Sequence, residues 1–323
     1  MILSADPISA ADSGSKTKKP IRVGMIGLDT SHVMKFAKDL GDPKGDVVIV
    51  AAFPGGSPDV KASWSRVEGY TKKLKGQGIE ICDSIDSLLE KVDAVMITSV
   101  DGRPHLEYAR QVLPTGKPTF IDKPVAGNLV DACEIYALAE KYKTPCCCTS
   151  ALRYTKKADI KAGKVVGRVV GCSVYGPCKL EEHHPDLYWY GIHAVESLFA
   201  VMGDGIETVS RTQTKDTDVV VGVWKDGRIG VFRGIRKGPY EFGGTAFGTK
   251  KNASIGSYDH GDQLSKEIAR FFKTQKVLVP AEETLEIYAF LTAADVSKEK
   301  GGCPVDVQDI LEKAKAEAAK RIK

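Results

Sequence analysis

The pattern of apolar and polar positions divides the chain into two parts with different rhythms. From residue 21 to about residue 150, short apolar runs alternate with stretches of helical period. Because strands that alternate with helices are joined by right-handed crossovers, this part predicts a doubly wound parallel sheet. The predicted strands are IRVGMIG, DVVIVAAF, IEIC, DAVMITS, PTFID and PCCCTS, with SIDSLLEKV, HLEYARQVL and LVDACEIYALAEKY among the helices.

After about residue 151 the pattern predicts an α+β domain with a largely antiparallel open sheet and helices on one face. A helix KKADIKAGKV leads to the long strand GRVVGCSVYG and then to the helix YGIHAVESLFAVMG. In VVVGVWKDGRIGVFRGI, the KDG segment is typical of a hairpin turn between alternating strands. Three helices follow, QLSKEIARFFKT, AEETLEIYAFLTAADVSKEK and VQDILEKAKAEAAKRI, and we expect the middle one to return to the first domain.

These patterns predict three segments along the chain. Residues 1–19 are small and polar without any folding period, which predicts a disordered lead-in. Residues 20–150 form the first domain and residues 151–323 the second, and the length of 323 residues suits two domains.

Charge and hydropathy narrow the classes of protein. The 46 Lys and Arg are scattered among 42 Asp and Glu, and the net charge is only +4. The basic C-terminal stretch LEKAKAEAAKRIK is typical of a solvated helix face. No apolar run approaches the roughly 20 residues that a membrane-spanning helix needs. We therefore predict neither nucleic acid nor membrane as a partner.

Cysteine usage indicates a reduced protein. The eight cysteines lack CxxC spacing, and three of them are consecutive in PCCCTS. Neighbouring residues of a strand face opposite ways, so this run does not predict a disulfide framework, and we predict no metal site from it. The expected compartment is the cytoplasm. An exported protein whose signal peptide has been removed is the alternative, because ADPISAAD resembles the small-residue stretch that follows a secretory apolar region.

The junction IGLDTSH, between the first strand and the first helix, is a modified dinucleotide turn. In a GxGxxG turn, glycines let the backbone approach a pyrophosphate at a helix N-terminus. Gly27 fits the first glycine, whereas Asp29 and His32 occupy the second and third positions. A carboxylate there repels a pyrophosphate, while Thr30 and Ser31 offer hydroxyls and a helix cap. A modified pyrophosphate site and a capped helix without ligand both remain open.

The residues at the end of the second strand do not indicate whether the cofactor is NAD or NADP. An acidic residue about 20 residues after the glycine turn would hold the adenosine ribose, and Phe53 fills that place. Phe53 is a candidate to stack on adenine, and Ser57 and Lys61 are candidates to hold a 2′-phosphate. A simple turn at FPGGSP is the alternative, so the cofactor is predicted as NAD or NADP.

The order of the motifs resembles the Gfo/Idh/MocA oxidoreductase family over roughly residues 20 to 310. The stretch DAVMITSVDGRPHLEYARQVLPTGKPTFIDKPVA is similar to its strand, His-led helix, GK turn and E/D-K-P signature. SALRYTKKADIKAGKVVGRVVG is similar to its domain-crossing helix, and YWYGIHAVESLFAVMG to its GxHxxD helix. The resemblance implies a Rossmann-type dinucleotide domain and hydride transfer to or from a sugar, cyclitol or related polyol.

Lys123 and His193 are the candidate catalytic residues. Lys123 follows the fifth strand, at the carboxyl edge where a lysine can donate a proton to a substrate oxygen and Asp122 can orient it. A solvated lysine in a surface turn is the alternative. The resemblance implies that His193 works with Lys123 on the hydroxyl proton. The alternative is a structural histidine whose hydrogen bonds are made inside the domain interface. The acid that the family often has four positions before this histidine is Trp189 here.

The remaining candidates follow from position and resemblance. Candidate cofactor-binding residues are Gly27, Asp29, Thr30, Ser31, His32, Phe53, Ser57, Ser99, His105, Asp122 and Lys123. Candidate substrate-binding residues are Arg153, Tyr188, Tyr190, His193 and Glu196. The segment EEHHPDLYWYG is interpreted as a substrate-facing polar loop whose aromatic rings can stack on a sugar.

Three other functions remain open. One is a family member that has lost redox chemistry and serves as a binding or regulatory protein. Another is a lyase, hydratase or glycosidase that uses tightly bound NAD. A third is a metal-dependent enzyme that uses His183, His193 and Glu196. The family commonly pairs its open sheets, so we expect a homodimer or homotetramer through the C-terminal sheet.

Overall fold

The structure is a computed structural model that describes residues 19–155, 160, 163–256 and 261–322. The predicted lead-in, except residue 19, lies outside these residues, as does most of the first half of the predicted helix KKADIKAGKV. Among the described residues, no helix combines the length and the apolar character needed to cross a bilayer. All eight cysteines are described and are free thiols, and only Cys303 is exposed.

The first part is a six-stranded parallel sheet in the order β3-β2-β1-β4-β5-β6. The six apolar runs each form one of these strands. Five of the strands are largely buried, as expected for a sheet covered by helices on both faces, whereas the two-residue strand at Glu80–Ile81 is partly exposed. The strands are β1 (Ile21–Ile26), β2 (Val47–Phe53), β3 (Glu80–Ile81), β4 (Ala94–Ile97), β5 (Thr119–Asp122) and β6 (Cys146–Thr149). The helices are α1 (Ser31–Asp39), α2 (Lys61–Gly76), α3 (Ile85–Leu89), α4 (His105–Val112) and α5 (Leu129–Lys141).

The second part is a seven-stranded sheet in the order β12-β11-β7-β10-β9-β8-β13. All neighbours are antiparallel except β7 and β10, which run parallel. The strands are β7 (Val169–Pro177), β8 (Ile206–Gln213), β9 (Thr217–Trp224), β10 (Ile229–Ile235), β11 (Gly243–Gly248), β12 (Ala253–Ile255) and β13 (Val305–Asp306). The predicted hairpin joins β9 to β10, with Gly227 at a positive φ of 81°. The predicted fold class is confirmed, although β8, β11, β12 and β13 were not predicted.

Four helices follow or lie within the second part. They are α6 (Gly191–Met202), α7 (Gln263–Thr274), α8 (Ala281–Glu299) and α9 (Val307–Arg321). The face of α7 that carries Ile268 and Phe271 packs in one core with Phe36 of α1, so this helix packs on the first sheet. In α8, which packs on β8, the hydroxyl of Tyr288 accepts a hydrogen bond of 2.6 Å from the backbone N–H of Val125, just after β5. The helix α8 therefore joins the two sheets.

Candidate active site at the carboxyl edge of the parallel sheet

Asp122 and Lys123 lie at the end of β5, where the parallel strands present their carboxyl ends. Lys123 is almost completely buried, and its backbone N–H donates to Oδ1 of Asp122 over 2.9 Å. The other carboxylate oxygen accepts from Nδ1 of His32, in the first turn of α1, over 2.6 Å. Burial favours a raised pKa for Asp122, but the charges of His32 and Lys123 hold that pKa below its usual value. Asp122 is therefore an ionised carboxylate that accepts hydrogen bonds from the imidazole of His32 and the backbone N–H of Lys123.

His193 projects from the first turn of α6 toward the same space. Its Nδ1 lies 2.9 Å from the hydroxyl of Ser150, which directly follows β6. Burial lowers the pKa of His193 well below its usual value, and the positive charges of Lys123 and His32 lower it further. His193 is therefore a neutral imidazole near pH 7. Because β6 pairs with β5 as far as Asp122 and Thr149, Ser150 and Lys123 follow neighbouring strand ends, and His193 lies at the same edge of the sheet as Lys123.

Aromatic rings form a wall beside His193. The ring of Tyr190 meets it edge-on at 5.4 Å between centroids, and that of Phe242 at 6.0 Å. Tyr240 contacts both of these rings, and its hydroxyl pairs with that of Tyr190. Tyr240 and Phe242 come from the segment before β11 and were missed by the sequence analysis. The stretch GPYEFGG has neither a helical nor a strand period, so no sequence pattern pointed to these two residues.

Three predicted substrate-binding residues have other contacts. Arg153 donates from Nε to Glu196 over 2.8 Å and from Nη1 to Glu283 over 2.6 Å, in a buried network. Glu196 therefore neutralises Arg153 at the junction between the two sheets. Tyr188 is buried, and its hydroxyl lies 2.8 Å from that of Thr292 in α8. The prediction that Tyr188 faces a substrate is wrong, because the ring packs in the core.

The metal-dependent interpretation does not match the geometry of its three residues. Within the described part of the chain, His193 contacts Ser150, Glu196 contacts Arg153, and Nδ1 of His183 lies 2.9 Å from Glu181. These separate contacts do not bring His183, His193 and Glu196 together around one ion. Among the described residues, the group of side chains with ligand-like spacing consists of Glu181, Glu182 and His183, which shares only His183 with this set.

The dinucleotide turn keeps its first glycine for a steric reason. Gly27 has a φ of 92°, and a Cβ there would lie 2.1 Å from Oγ of Ser99, which is buried behind the turn. Thr30 is the N-cap of α1, and its hydroxyl accepts the N–H of His32 over 3.4 Å. Ser31 is exposed at the start of this helix. Ser99 supports the turn from within, whereas Thr30 and Ser31 stand at its open end.

Asp29 is turned into the protein. Its side chain is completely buried, and it accepts the hydroxyl of Ser63 in α2 over 2.6 Å and the N–H of Val100 over 2.7 Å. Burial raises the pKa of Asp29, and these two hydrogen bonds oppose that rise. The carboxylate thus ties the turn to α2 and to the loop after β4, and Thr30, not Asp29, caps the helix.

The loop between β2 and α2, residues 54–60, lies against the turn. The carbonyl of Pro54 accepts the N–H of Leu28 over 2.7 Å. A Cβ at Gly55 would lie 3.3 Å from Cα of Gly27 and 2.8 Å from the hydroxyl of Tyr108 in α4. Ser57 is buried, and its N–H donates to Oγ of Ser63 over 2.7 Å. The space above Gly27 is therefore narrow on the side where an adenosine would lie.

A group of charged residues, here called the loop clasp, fastens residues 54–60 from outside. It consists of Asp59, Asp101, Arg103, Glu181, His183 and His184. Arg103 pairs with Asp59 over 2.9 Å and with Asp101 over 2.7 Å. Nε2 of His184, from the second part of the chain, lies 3.0 Å from Asp101. The segment predicted to face a substrate is thus partly committed to joining the two parts.

His105 is also a structural tie. It is completely buried, with Nε2 3.1 Å from the carbonyl of Ser99 and Nδ1 3.3 Å from that of Val125. Burial lowers its pKa despite the nearby carboxylates of Asp122 and Asp101. The prediction that His105 binds a cofactor is therefore replaced by a role in joining the loops after β4 and β5.

The residues of the site suit the nicotinamide and pyrophosphate parts of a dinucleotide better than its adenosine part. The edge formed by Lys123, His193 and Asp122 has the charged and neutral donors that suit a nicotinamide and a polar substrate. The open end of α1 at Thr30 and Ser31 suits a pyrophosphate. On the adenosine side, residues 54–60 lie close to the turn, since the carbonyl of Pro54 accepts the N–H of Leu28.

Comparisons with known proteins agree with this fold. Residues 21–149 match the family model Gfo/Idh/MocA, described as "Oxidoreductase family, NAD-binding Rossmann fold". No curated protein sequence matches the chain significantly.

Solved structures resemble nearly the whole chain at low sequence identity. A putative NADPH-dependent oxidoreductase from Desulfitobacterium hafniense has a TM-score of 0.75 and 17% identity, covering 91% of this chain and 99% of that one. Myo-inositol dehydrogenase from Lactobacillus casei, solved with NAD(H) and myo-inositol, has a TM-score of 0.71 and 16% identity, covering 89% and 96%. At such identities the likeness establishes the fold alone. Residues 21–149 therefore match the NAD-binding Rossmann fold of the Gfo/Idh/MocA oxidoreductase family, the family that the sequence motifs resemble.

Proposed function

We propose that the protein is an NAD(P)-dependent oxidoreductase that acts on a hydroxyl-bearing carbon of a sugar, cyclitol or related polyol. The observation that carries this proposal is the convergence of Lys123, His193 and the His32–Asp122 pair at the end of β5. Proton-carrying groups at this edge are what the oxidation of an alcohol needs beside a hydride acceptor. When bound, the nicotinamide supplies that acceptor or donor of hydride.

The two predicted catalytic residues would divide the work on the hydroxyl group. Lys123, whose side chain is nearly buried, would take the hydroxyl proton in oxidation and return it in reduction. His193 stays neutral because burial and its cationic neighbours lower its pKa. With Nδ1 engaged by Ser150, its Nε2 is left to hydrogen-bond the same substrate oxygen and orient it.

The aromatic wall supports a ring-shaped polyol as the substrate class. The rings of Tyr190, Tyr240 and Phe242 stand beside His193, and aromatic faces pack well on the C–H faces of sugars and cyclitols. The hydroxyls of Tyr190 and Tyr240 are available to bond the substrate's own hydroxyls. Inositol dehydrogenases among the structural neighbours are consistent with this class.

The cofactor would be held by this chain's residues at two ends. Asp122 and Lys123 would hold the nicotinamide end, and the first turn of α1 at Thr30 and Ser31 would hold the pyrophosphate. Phe53 leaves the adenosine ribose without an acidic partner, so the choice between NAD and NADP is not made there.

A second candidate function is a binding or regulatory protein without redox chemistry. The close approach of Gly55 to Gly27 favours it, because it reduces the space for a dinucleotide. The same closed loop also suits a lyase or hydratase that retains its NAD through the whole reaction.

Binding of the dinucleotide tests the proposal. NADH and NADPH are titrated by fluorescence into purified protein, and a denatured sample is analysed for released cofactor. Binding below millimolar concentration supports the oxidoreductase, whereas no binding and no released cofactor favour the second candidate. With a bound cofactor and an active polyol, Lys123→Ala is expected to abolish turnover while leaving dinucleotide affinity largely intact. The exposed Lys38 of α1 provides the control variant Lys38→Ala.

A further inference from the structure

His32 occupies the third position of the glycine turn, where its side chain reaches the end of β5. Its ring meets Phe36 edge-on at 5.9 Å, and Nδ1 lies 2.6 Å from Oδ2 of Asp122. The Asp122 carboxylate is fixed in turn by the backbone N–H of Lys123. The imidazole is therefore held from two sides in one orientation.

This contact determines which ring nitrogen is free. An ionised carboxylate only accepts hydrogen bonds, so Nδ1 of His32 must carry the proton that points at Asp122. In the neutral ring, Nε2 then has a lone pair and can accept a proton. Asp122 would stabilise the resulting imidazolium, as a carboxylate does for any histidine base that it orients.

The buried side chains of Lys123 and Asp122 need a partner that can exchange protons with solvent. The side chain of Asp122 is 1% exposed, whereas that of His32 is 21% exposed. Lys123 is nearly as buried as Asp122, with 7% of its surface exposed. His193 is held neutral by its surroundings and is a poor proton carrier. Of these four residues, His32 combines a basic nitrogen, a carboxylate partner and access to solvent.

We propose that His32, oriented by Asp122, relays protons between Lys123 and solvent during the reaction proposed above. In oxidation, the substrate O–H bond breaks and its proton passes to the neutral amine of Lys123, then to Nε2 of His32, and then to water. The carbon that bears this hydroxyl gives up a hydride to the nicotinamide, which is the oxidant. Asp122 remains ionised throughout and acts as a positioning residue. The chemistry of this relay rests on the proposed function, whereas the arrangement of Asp122, His32 and Lys123 does not depend on a bound cofactor.

Titration of the imidazoles by NMR tests that arrangement in the cofactor-free full-length protein. The signal of His32 is assigned from its loss in His32→Gln, and we expect its Nδ1–H tautomer. Asp122→Asn should change the imidazole signals of His32, since it removes the carboxylate that accepts from Nδ1. Lys123→Met should also change the His32 signals and should raise the pKa of His193, since a nearby positive charge is lost.

The outcomes of the titration decide the arrangement. Lys38→Met, which changes an exposed lysine of the same helix, should leave both titrations unchanged. If Lys123→Met leaves the imidazole signals of His32 unchanged, Lys123 and His32 do not share a space and the relay is overturned. Thermal unfolding of each variant verifies that it is folded, and the Lys123→Met result stands even if Asp122→Asn fails to fold.

Kinetics with NAD⁺ or NADP⁺ and myo-inositol as the probe substrate then test the relay itself. We expect His32→Gln to lower kcat about 100-fold with little change in KM, and imidazole in the buffer to restore part of the rate. Full activity with an unchanged pH profile in His32→Gln would overturn the relay. A wild-type protein that binds no dinucleotide would refute the proposed function instead, and the titrations would still decide whether His32, Asp122 and Lys123 form one unit.

Discussion

The carboxylate of Asp29 accepts a hydrogen bond from the hydroxyl of Ser63 at 2.6 Å, which joins the dinucleotide turn to α2. An acidic residue in a glycine position is thereby used as an internal tie. Because its second oxygen accepts the N–H of Val100, the carboxylate also reaches the loop after β4. The negative charge that would repel a pyrophosphate is turned away from the open end of α1.

Replacing Asp29 should lower the stability of the protein and raise its affinity for NADH. We expect Asp29→Gly to strengthen NADH binding if a dinucleotide occupies the turn, and to lower the free energy of unfolding by about 1–3 kcal/mol through two lost buried bonds. Asp29→Asn keeps the shape of the side chain and serves as the control. Fluorescence titration and urea unfolding measure the two effects. Unchanged NADH affinity in Asp29→Gly would mean that no dinucleotide binds at this turn.

The loop clasp should make cofactor entry dependent on pH. Hydrogen bonding to Glu181 raises the pKa of His183. A raised folded-state pKa means that the contribution of His183 is complete below its unfolded value of about 6.5 and is lost as the pH rises through the folded value. We therefore expect NADH to associate slightly faster at pH 8.5 than at pH 6, measured by stopped-flow fluorescence. His183→Gln should remove this difference, and a faster rate at pH 6 would contradict the interpretation.

The pair of Asp122 and His32 should have the opposite dependence on pH. The folded-state pKa of Asp122 is depressed, so its contribution to stability is present above its unfolded pKa of about 3.9 and is lost as the pH falls below that value. Asp122→Asn should therefore destabilise the protein at pH 7 and lose its effect progressively in acid. Urea unfolding at a series of pH values measures this. A difference from wild type that stays constant below pH 4 would contradict the depressed pKa.

The junction between the two parts depends on a buried ion pair. Arg153→Met leaves Glu196 and Glu283 buried without their cation, and removal of one partner of such a pair costs about 3–5 kcal/mol. Arg228→Met, which breaks a pair with the exposed Asp226, is the control and should change stability little. Urea unfolding compares the two variants. Equal effects would mean that Arg153 does not hold the junction.

The open face of the second sheet should pair with a second copy of the chain. Its exposed apolar side chains are Val170, Tyr175, Ile229 and Phe247. We expect a dimer or tetramer by light scattering, and Ile229→Asp should shift it toward the monomer because a charge is costly in an apolar interface. Trp64→Asp, at an exposed aromatic residue of α2, is the control. A monomeric wild-type protein would contradict this prediction.

The sequence predicted the parts of the fold in which local pattern and burial agree. Five of the six strands of the first sheet are largely buried apolar runs, the short β3 being the exception, and the alternation of strands with helices is enough to predict a parallel sheet. β8 and β13 were missed for the opposite reason. In IETVSRTQ only every third or fourth residue is strongly apolar, and β13 is two residues long, so contacts distant in sequence decide both.

The predicted site residues came from motifs, whereas most of their partners were not predicted. The position of the DKP motif after the fifth strand and the resemblance of the GIH helix to the family predicted Lys123 and His193 as site residues. The contacts of Asp29 with Ser63 and of Tyr188 with Thr292 join residues 34 and 104 positions apart, and no local pattern encodes such pairs. His32 was predicted near the cofactor, but its partner Asp122 lies 90 positions away.

The hydrogen bond between Tyr288 and Val125 has a consequence for how this architecture can be altered. The hydroxyl that fixes the backbone two residues after Lys123 belongs to a helix encoded more than 150 positions later. The geometry of the lysine is thus a joint product of both halves of the gene. A recombination event that grafted a foreign C-terminal half onto this Rossmann domain would keep the motif intact and still misplace its amine, unless the incoming helix carried an equivalent tyrosine.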